Sequence, residues 1–119
     1  MRHRKTQKKL DRNRAARVAL VTQLVSELVL HGFIVTTLAK AKVARTTAER
    51  FVSRARTNTL ATRRYLLSRL HQHEEPVNKL LTIWGPKYQS RPGGFTRITR
   101  ITRRSGDRGE SVKLEFVES

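Results

Sequence analysis

The chain has 119 residues, no cysteine, and a formal net charge of +17 from 26 Lys and Arg against nine Asp and Glu. That length fits one domain with a tail, and the missing thiols exclude disulfides, thiolate metal sites and a cysteine nucleophile. A charge this large opposes compaction and favours a polyanionic partner, nucleic acid ahead of an anionic membrane surface.

Hydrophobic residues make up 37% of the chain, below the usual share, so the core should be thin for the length. No apolar run reaches the roughly 18 residues of a membrane span. No apolar stretch with a small-residue cleavage site follows the charged start, as a secretory signal requires. The expected location is the cytoplasm, or an organelle interior after processing.

Residues 1–12 read as an extended basic arm, and residues 13–119 as a single two-layer domain. Arg2, Arg4, Lys5, Lys8, Lys9, Arg12, Arg14 and Arg17 stand against one acid, Asp11, a balance of +7 in the first seventeen residues. Such a density cannot enter a core, because an unpaired buried charge is too costly. The arm is expected to be solvated when free and to order on an anionic partner. Residues 18–119 still hold eighteen basic and eight acidic residues. A body basic almost throughout fits a partner that surrounds it better than one that touches a single face.

Asp11 or Asn13 can cap a first helix running to about His31. Val18, Val21, Val25 and Leu28 form its stripe, Leu24 lies beside it, and Gly32 suits the stop. His31 reads as a cap or core residue rather than a catalyst. Phe33–Leu38 is a short β-branched strand. Thr37 can cap a second helix, Ala39 to about Arg56, with Ala44, Ala48, Phe51, Val52 and Ala55 inward. Its other face carries Lys40, Lys42, Arg45, Arg50, Arg54 and Arg56 with only Glu49 to balance them. Phosphate contact is at least as good a reading of that face as plain solvation.

Asn58 or Thr59 can cap a third helix through Leu70, with Leu60, Leu67 and Leu70 inward and Arg63 and Arg64 outward. His71–Glu75 (HQHEE) invites a metal reading, but adjacent loop side chains do not converge on one ion. It reads as a polar linker whose acids begin a fourth helix, where the dipole favours them. Pro76 suits that helix's first turn. Val77, Leu80, Leu81 and Trp84 make its stripe, and Gly85 and Pro86 are expected to end it.

Lys87–Gly94 (KYQSRPGG) is a loop in which Gly93 and Gly94, between Arg91 and Arg97, could let a phosphate approach the backbone. Phe95–Arg104 (FTRITRITRR) repeats its apolar residues every three positions. A bulge between Ile98 and Ile101 would bring both to one face. Ser105–Gly109 is a turn, and Val112, Leu114 and Phe116 alternate as a last strand. The fold class is therefore α+β, in the order α-β-α-α-α-β-β. The helices pack on one face of a small three-stranded sheet, and an extended basic arm precedes them.

No convergent acids or histidines for acid–base work, no phosphate loop and no zinc motif are present. The chain thus reads as a binding protein, not an enzyme, with no cofactor, no metal and no small-molecule substrate. A DNA-binding or nucleoid protein is the main alternative to an RNA binder; it would need a recognition helix and usually a symmetric dimer surface, and neither stands out. An RNA-processing enzyme lacks its cluster. A membrane-active helix would carry a basic polar face, whereas residues 18–31 contain no Lys or Arg.

Several segments carry a resemblance. MRHRK at the start, LVLHGFIVTTLAKAK (28–42), the Arg63–Arg64 pair and GPKYQSRPGGFTRI (85–98) resemble the bacterial large-subunit ribosomal protein L-seventeen family. The likeness runs collinearly to the terminal KLEFVE. The opening pentapeptide and SRPGGFTRI are its specific parts. The chain departs from the family's pattern at Ala39, often Pro, at Val43, often acidic, and at Ala16, often His, so no contact is carried to Ala16. The resemblance implies a structural constituent of the large ribosomal subunit that binds large-subunit ribosomal RNA near the nascent-chain tunnel exit, beside other ribosomal proteins. The RNA-binding residues it implies are Arg2, His3, Arg4, Lys5, Lys8, Lys9, Arg12 and Arg17 in the arm and first turn. To these it adds Lys40, Lys42, Arg63, Arg64, Arg91, Gly93, Gly94 and Arg97.

Overall fold

Helix α1 spans Arg14–His31 in the computed structural model, which describes residues 13–101 and 111–118. Asn13 caps it, its side-chain oxygen accepting the Ala16 N–H at 2.8 Å; Asp11 lies outside the described residues. Gly32 closes the helix at φ +85°, and its N–H reaches the Leu28 carbonyl at 2.7 Å, the left-handed stop that glycine adopts without a Cβ penalty. Val25, Leu28 and Val29 are fully buried. Val18, expected on the same stripe, is instead 46% exposed, because the first turns of α1 border an open groove. His31 is exposed beside Glu27, 3.2 Å away, and not in the core.

Strand β1 is Phe33–Thr37 and helix α2 Leu38–Ala55. The Thr37 hydroxyl accepts the Lys40 N–H at 3.5 Å, so Leu38 opens the helix and does not extend the strand. The expected inward face of α2 is buried, and Ala41 joins it. Helix α3 is Leu60–Arg69. Thr59, not Asn58, caps it by accepting the Thr62 N–H at 3.2 Å. Leu60 is 63% exposed, against expectation, while Leu66 and Leu70 are fully buried. The pair i, i+4 defines the packed stripe, and Leu60, at the helix's first position, falls outside it.

The fourth helical segment begins as α4, Glu74–Lys79, with Glu74 and Glu75 in its first turn as expected. It does not stop at Gly85 and Pro86. A π-helical turn, Leu80–Trp84, leads into α5, Gly85–Lys87. Gly85 has helical φ −58°, and its N–H bonds back five residues to the Leu80 carbonyl. The wider turn resets the ladder, so Pro86 sits in a fresh first turn where its missing N–H is tolerated.

Strands β2, Thr96–Arg100, and β3, Ser111–Phe116, complete an antiparallel sheet ordered β1-β3-β2. Ile34, Leu114 and Ile98 align across it. The expected bulge is absent: pairing runs unbroken from Thr96↔Phe116 to Arg100↔Val112, and Ile101 N–H continues to Ser111 O at 3.1 Å. The pleat alternates strictly, so residues three apart take opposite faces. Ile98 packs toward the core and Ile101 is exposed. The expected extension to Arg104 and the 105–109 turn lie outside the described residues.

Val112, Leu114 and Phe116 of the central strand are buried beneath the helices. Trp84 stacks on Phe116 with ring centroids 4.1 Å apart, and its indole N–H donates to the Val29 carbonyl at 2.9 Å. One aromatic thus ties the π turn to both α1 and the sheet. Thr96, buried at the start of β2, gives its N–H and hydroxyl to the Glu49 carboxylate at 3.1 and 2.8 Å.

Candidate nucleic-acid interface

An open groove of about 770 Å³ is walled by α1, α2 and α3. Five cations line it: Arg14 and Arg17 from α1, Lys42 and Arg50 from α2, and Arg69 from α3. No acid is among the lining residues. Lys42, Thr46 and Arg50 recur at i, i+4, i+8, so α2 presents one row to the groove. Glu49, the acid that could have neutralised that row, points its carboxylate to Thr96 and Arg45. Arg14, one residue after the Asn13 cap, lines this groove.

Of the residues expected to bind RNA, the groove unites Arg17 and Lys42. Lys40, two residues from Lys42, is not among the lining residues. Arg63 and Arg64 lie on α3 outside the lining set. Among the described residues, Arg17, Lys40, Lys42, Arg63 and Arg64 hold no acid and no side-chain hydrogen bond. Arg91, Gly93, Gly94 and Arg97 form a second group, in the loop that leads into β2 and at the start of that strand. There Arg91 donates to the Glu118 carbonyl at 3.3 Å and receives the Arg56 guanidinium on its own carbonyl. Arg97 pairs with Glu115 at 3.0 Å. That hydrogen bond, helped by Lys113 at 3.5 Å, holds the Glu115 carboxyl below the usual carboxylate range. Gly94 has φ +66°, and among the described residues nothing beyond the chain neighbours lies within 4 Å of where a Cβ would stand on Gly93 or Gly94. Arg2, His3, Arg4, Lys5, Lys8, Lys9 and Arg12 lie outside the described residues.

Arg14, Arg50 and Arg69 are not among the RNA-binding residues that the resemblance implies. Arg14 reads as part of the arm, and Arg50 as one of many on the basic face of α2. Arg69 follows no motif. The signal for Arg50 was its four-residue spacing from Thr46 and Lys42. The signal for Arg69 was its spacing from Tyr65, whose ring it covers at 5.2 Å.

This geometry suits a polyanion: several unpaired cations, little carboxylate and no convergent catalytic cluster. Among the described residues no group of three His, Asp or Glu could hold a metal ion. No helix there is long and apolar enough to cross a membrane. A family profile described as Ribosomal protein L17 matches residues 20–117. The chain belongs to that family. The match covers α1 from its second turn to the end of β3, so it includes the α2 and α3 walls of the groove and the Gly93–Gly94 cluster, while Arg14, Arg17 and Val18 of the groove precede it. Members are structural proteins of the large ribosomal subunit rather than enzymes, and the family is one of ribosomal RNA-binding proteins that serve translation.

Proposed function

We propose that this chain holds large-subunit ribosomal RNA in place through three basic regions: the arm, the groove between α1, α2 and α3, and the Gly93–Gly94 loop. The groove carries the proposal. Five cations face one channel without an acid, and an arrangement that repels itself in the free protein gains from phosphate. Arg17 and Lys42 bind backbone phosphates there, joined by Arg14, Arg50 and Arg69. The arm, residues 1–12, continues from the groove's edge and threads between RNA helices with Arg2, His3, Arg4, Lys5, Lys8, Lys9 and Arg12. Lys40, Arg63 and Arg64 extend the contact along the outer helix faces. Arg91 and Arg97, braced by internal partners, flank a backbone that RNA can approach closely at Gly93 and Gly94. The subunit site is near the nascent-chain tunnel exit, in the cytoplasm or an organelle, beside other large-subunit proteins.

The test is a comparison of ribosomal RNA fragments with duplex DNA at matched, near-physiological salt. Affinity at low salt reports only charge. Preference for the ribosomal fragments, with RNA protection that weakens on deleting residues 1–9, is the expected result. Equal affinity for DNA, or protection unchanged by the deletion, would remove the interface as drawn.

A further inference from the structure

The groove is more than a row of cations. Its floor is apolar: Val18, Val21, Val43 and Phe51 line it, and Val18 leaves 46% of its surface to water. A surface that only tracked phosphates would gain nothing from these side chains. Thr22 also lines the groove, is 8% exposed, and its hydroxyl makes no hydrogen bond among the described residues. That hydroxyl is free to bond a polar group that enters the groove. At the α3 wall, Tyr65 meets the edge of Phe51 at 6.3 Å and 84°. Arg69 lies over its ring at 5.2 Å and Arg54 at 4.3 Å. An arginine held against an aromatic ring presents its guanidinium plane with little freedom left to lose.

We propose that this groove receives an unpaired RNA base, seated on the Val18–Val43 floor against the Arg69 plane, with its neighbouring phosphates on Arg17, Lys42 and Arg50. The proposal rests on the RNA-binding reading above and adds what part of the RNA enters. A nucleobase is flat and apolar on its faces and polar on its edge. The floor, the guanidinium plane and the Thr22 hydroxyl match those three properties. A base inside a duplex exposes no face and could not reach the floor. An acidic peptide would satisfy the cations but offers no plane for the Arg69 guanidinium.

The experiment titrates the full chain with an adenosine pentaribonucleotide and with an abasic pentamer of the same length and charge, in the same buffer. Base stacking predicts about tenfold tighter binding of the base-bearing strand. Val18→Gln, at an exposed position, keeps every cation and should bring that ratio close to one. Leu60→Gln, exposed outside the groove, should leave the ratio as it is. Ring-current shifts of the Val18 and Val43 methyl signals on adding the base-bearing strand place the base directly. Equal binding of both strands, a ratio unchanged by Val18→Gln, or methyl signals that do not move would overturn the base site while leaving the phosphate interface standing. Tighter binding of an oligoglutamate of equal charge would overturn it in favour of an acidic peptide. Binding of neither RNA strand would sink the RNA-binding reading itself.

Discussion

A Cβ placed on Gly85 would lie 2.4 Å from the carbonyl oxygen of Ala55 and 2.8 Å from its carbon. Both are backbone atoms at the end of α2 and have little room to give. Alanine would gain about 1 kcal/mol in helix propensity, but the overpacking costs about 1–3 kcal/mol or more against backbone. Gly85→Ala is therefore expected to lower the melting temperature by several degrees, and a thermal melt that rises would contradict the close approach. The same change at Gly93 meets open space. Gly93→Ala should leave the melt within a degree or two yet weaken ribosomal RNA binding, if RNA backbone approaches where the glycine permits; unchanged affinity would take Gly93 out of the interface. Tyr88 offers a test by pH. It is 1% exposed, and its hydroxyl donates to the Val117 carbonyl. Burial pushes its pKa up from 10.0 to about 12; Arg91 lowers it somewhat and Glu118 raises it. Below the unfolded value both states carry the proton. Between pH 10 and about 12 only the folded state does, so stability falls as pH rises through that window. Tyr88→Phe should remove this part of the alkaline slope, and identical slopes for the two proteins would refute it.

Glu49 links two elements. Its carboxylate takes both the N–H and the hydroxyl of buried Thr96, pinning the start of β2 to the middle of α2. Glu49→Ala strands two polar groups that are nearly out of water, and each costs about 1–3 kcal/mol unpaired. The expected loss is at least about 2 kcal/mol by denaturant titration; Glu49→Gln, which keeps an acceptor oxygen, should lose clearly less. If both lose the same, the bond to Thr96 is not what matters. This link was hidden in the sequence, where Glu49 read as the lone acid of a basic face. What was legible there rests on local chemistry: the Thr37 cap, the Gly32 stop, the alternation of Val112, Leu114 and Phe116, and the alanine face of α2. What was not legible depends on partners distant in the chain. Leu60 looked inward until Leu66 and Leu70 took the contact. Gly85 looked like a stop, because a π turn leaves no mark in spacing. Ile101 looked paired with Ile98 because the threefold repeat hid a regular pleat. At the interface, the basic composition could be read, and the resemblance implied Arg17 and Lys42 separately. Their meeting with Arg69 needed α3 in position.

At the scale of the whole molecule, two electrostatic terms respond oppositely to salt. The net charge of +17 opposes folding by self-repulsion, which chloride screens. Ion pairs favour folding and are weakened by the same screening; among the described residues they include His31–Glu27, Arg45–Glu49, Lys87–Glu118, Arg97–Glu115 and Lys113–Glu115. Those pairs sit at or near the surface, where each contributes about 0–1 kcal/mol. Two of them share Glu115 and one needs a protonated histidine, so their joint loss is small. The repulsion acts among all the cations at once, and in the groove five of them face one channel without a carboxylate. Repulsion therefore outweighs pairing, and the melting temperature of the free protein should rise as sodium chloride increases from low to moderate concentration. Affinity for ribosomal RNA should fall over the same range, since each phosphate contact releases counterions. Replacing Arg17 and Arg50 together with Gln should flatten both responses: the melt gains less from salt, and the slope of log affinity against log salt shrinks by roughly one per cation removed. A melting temperature that falls with salt would show that the ion pairs, not the crowded groove, dominate the charge balance of the fold.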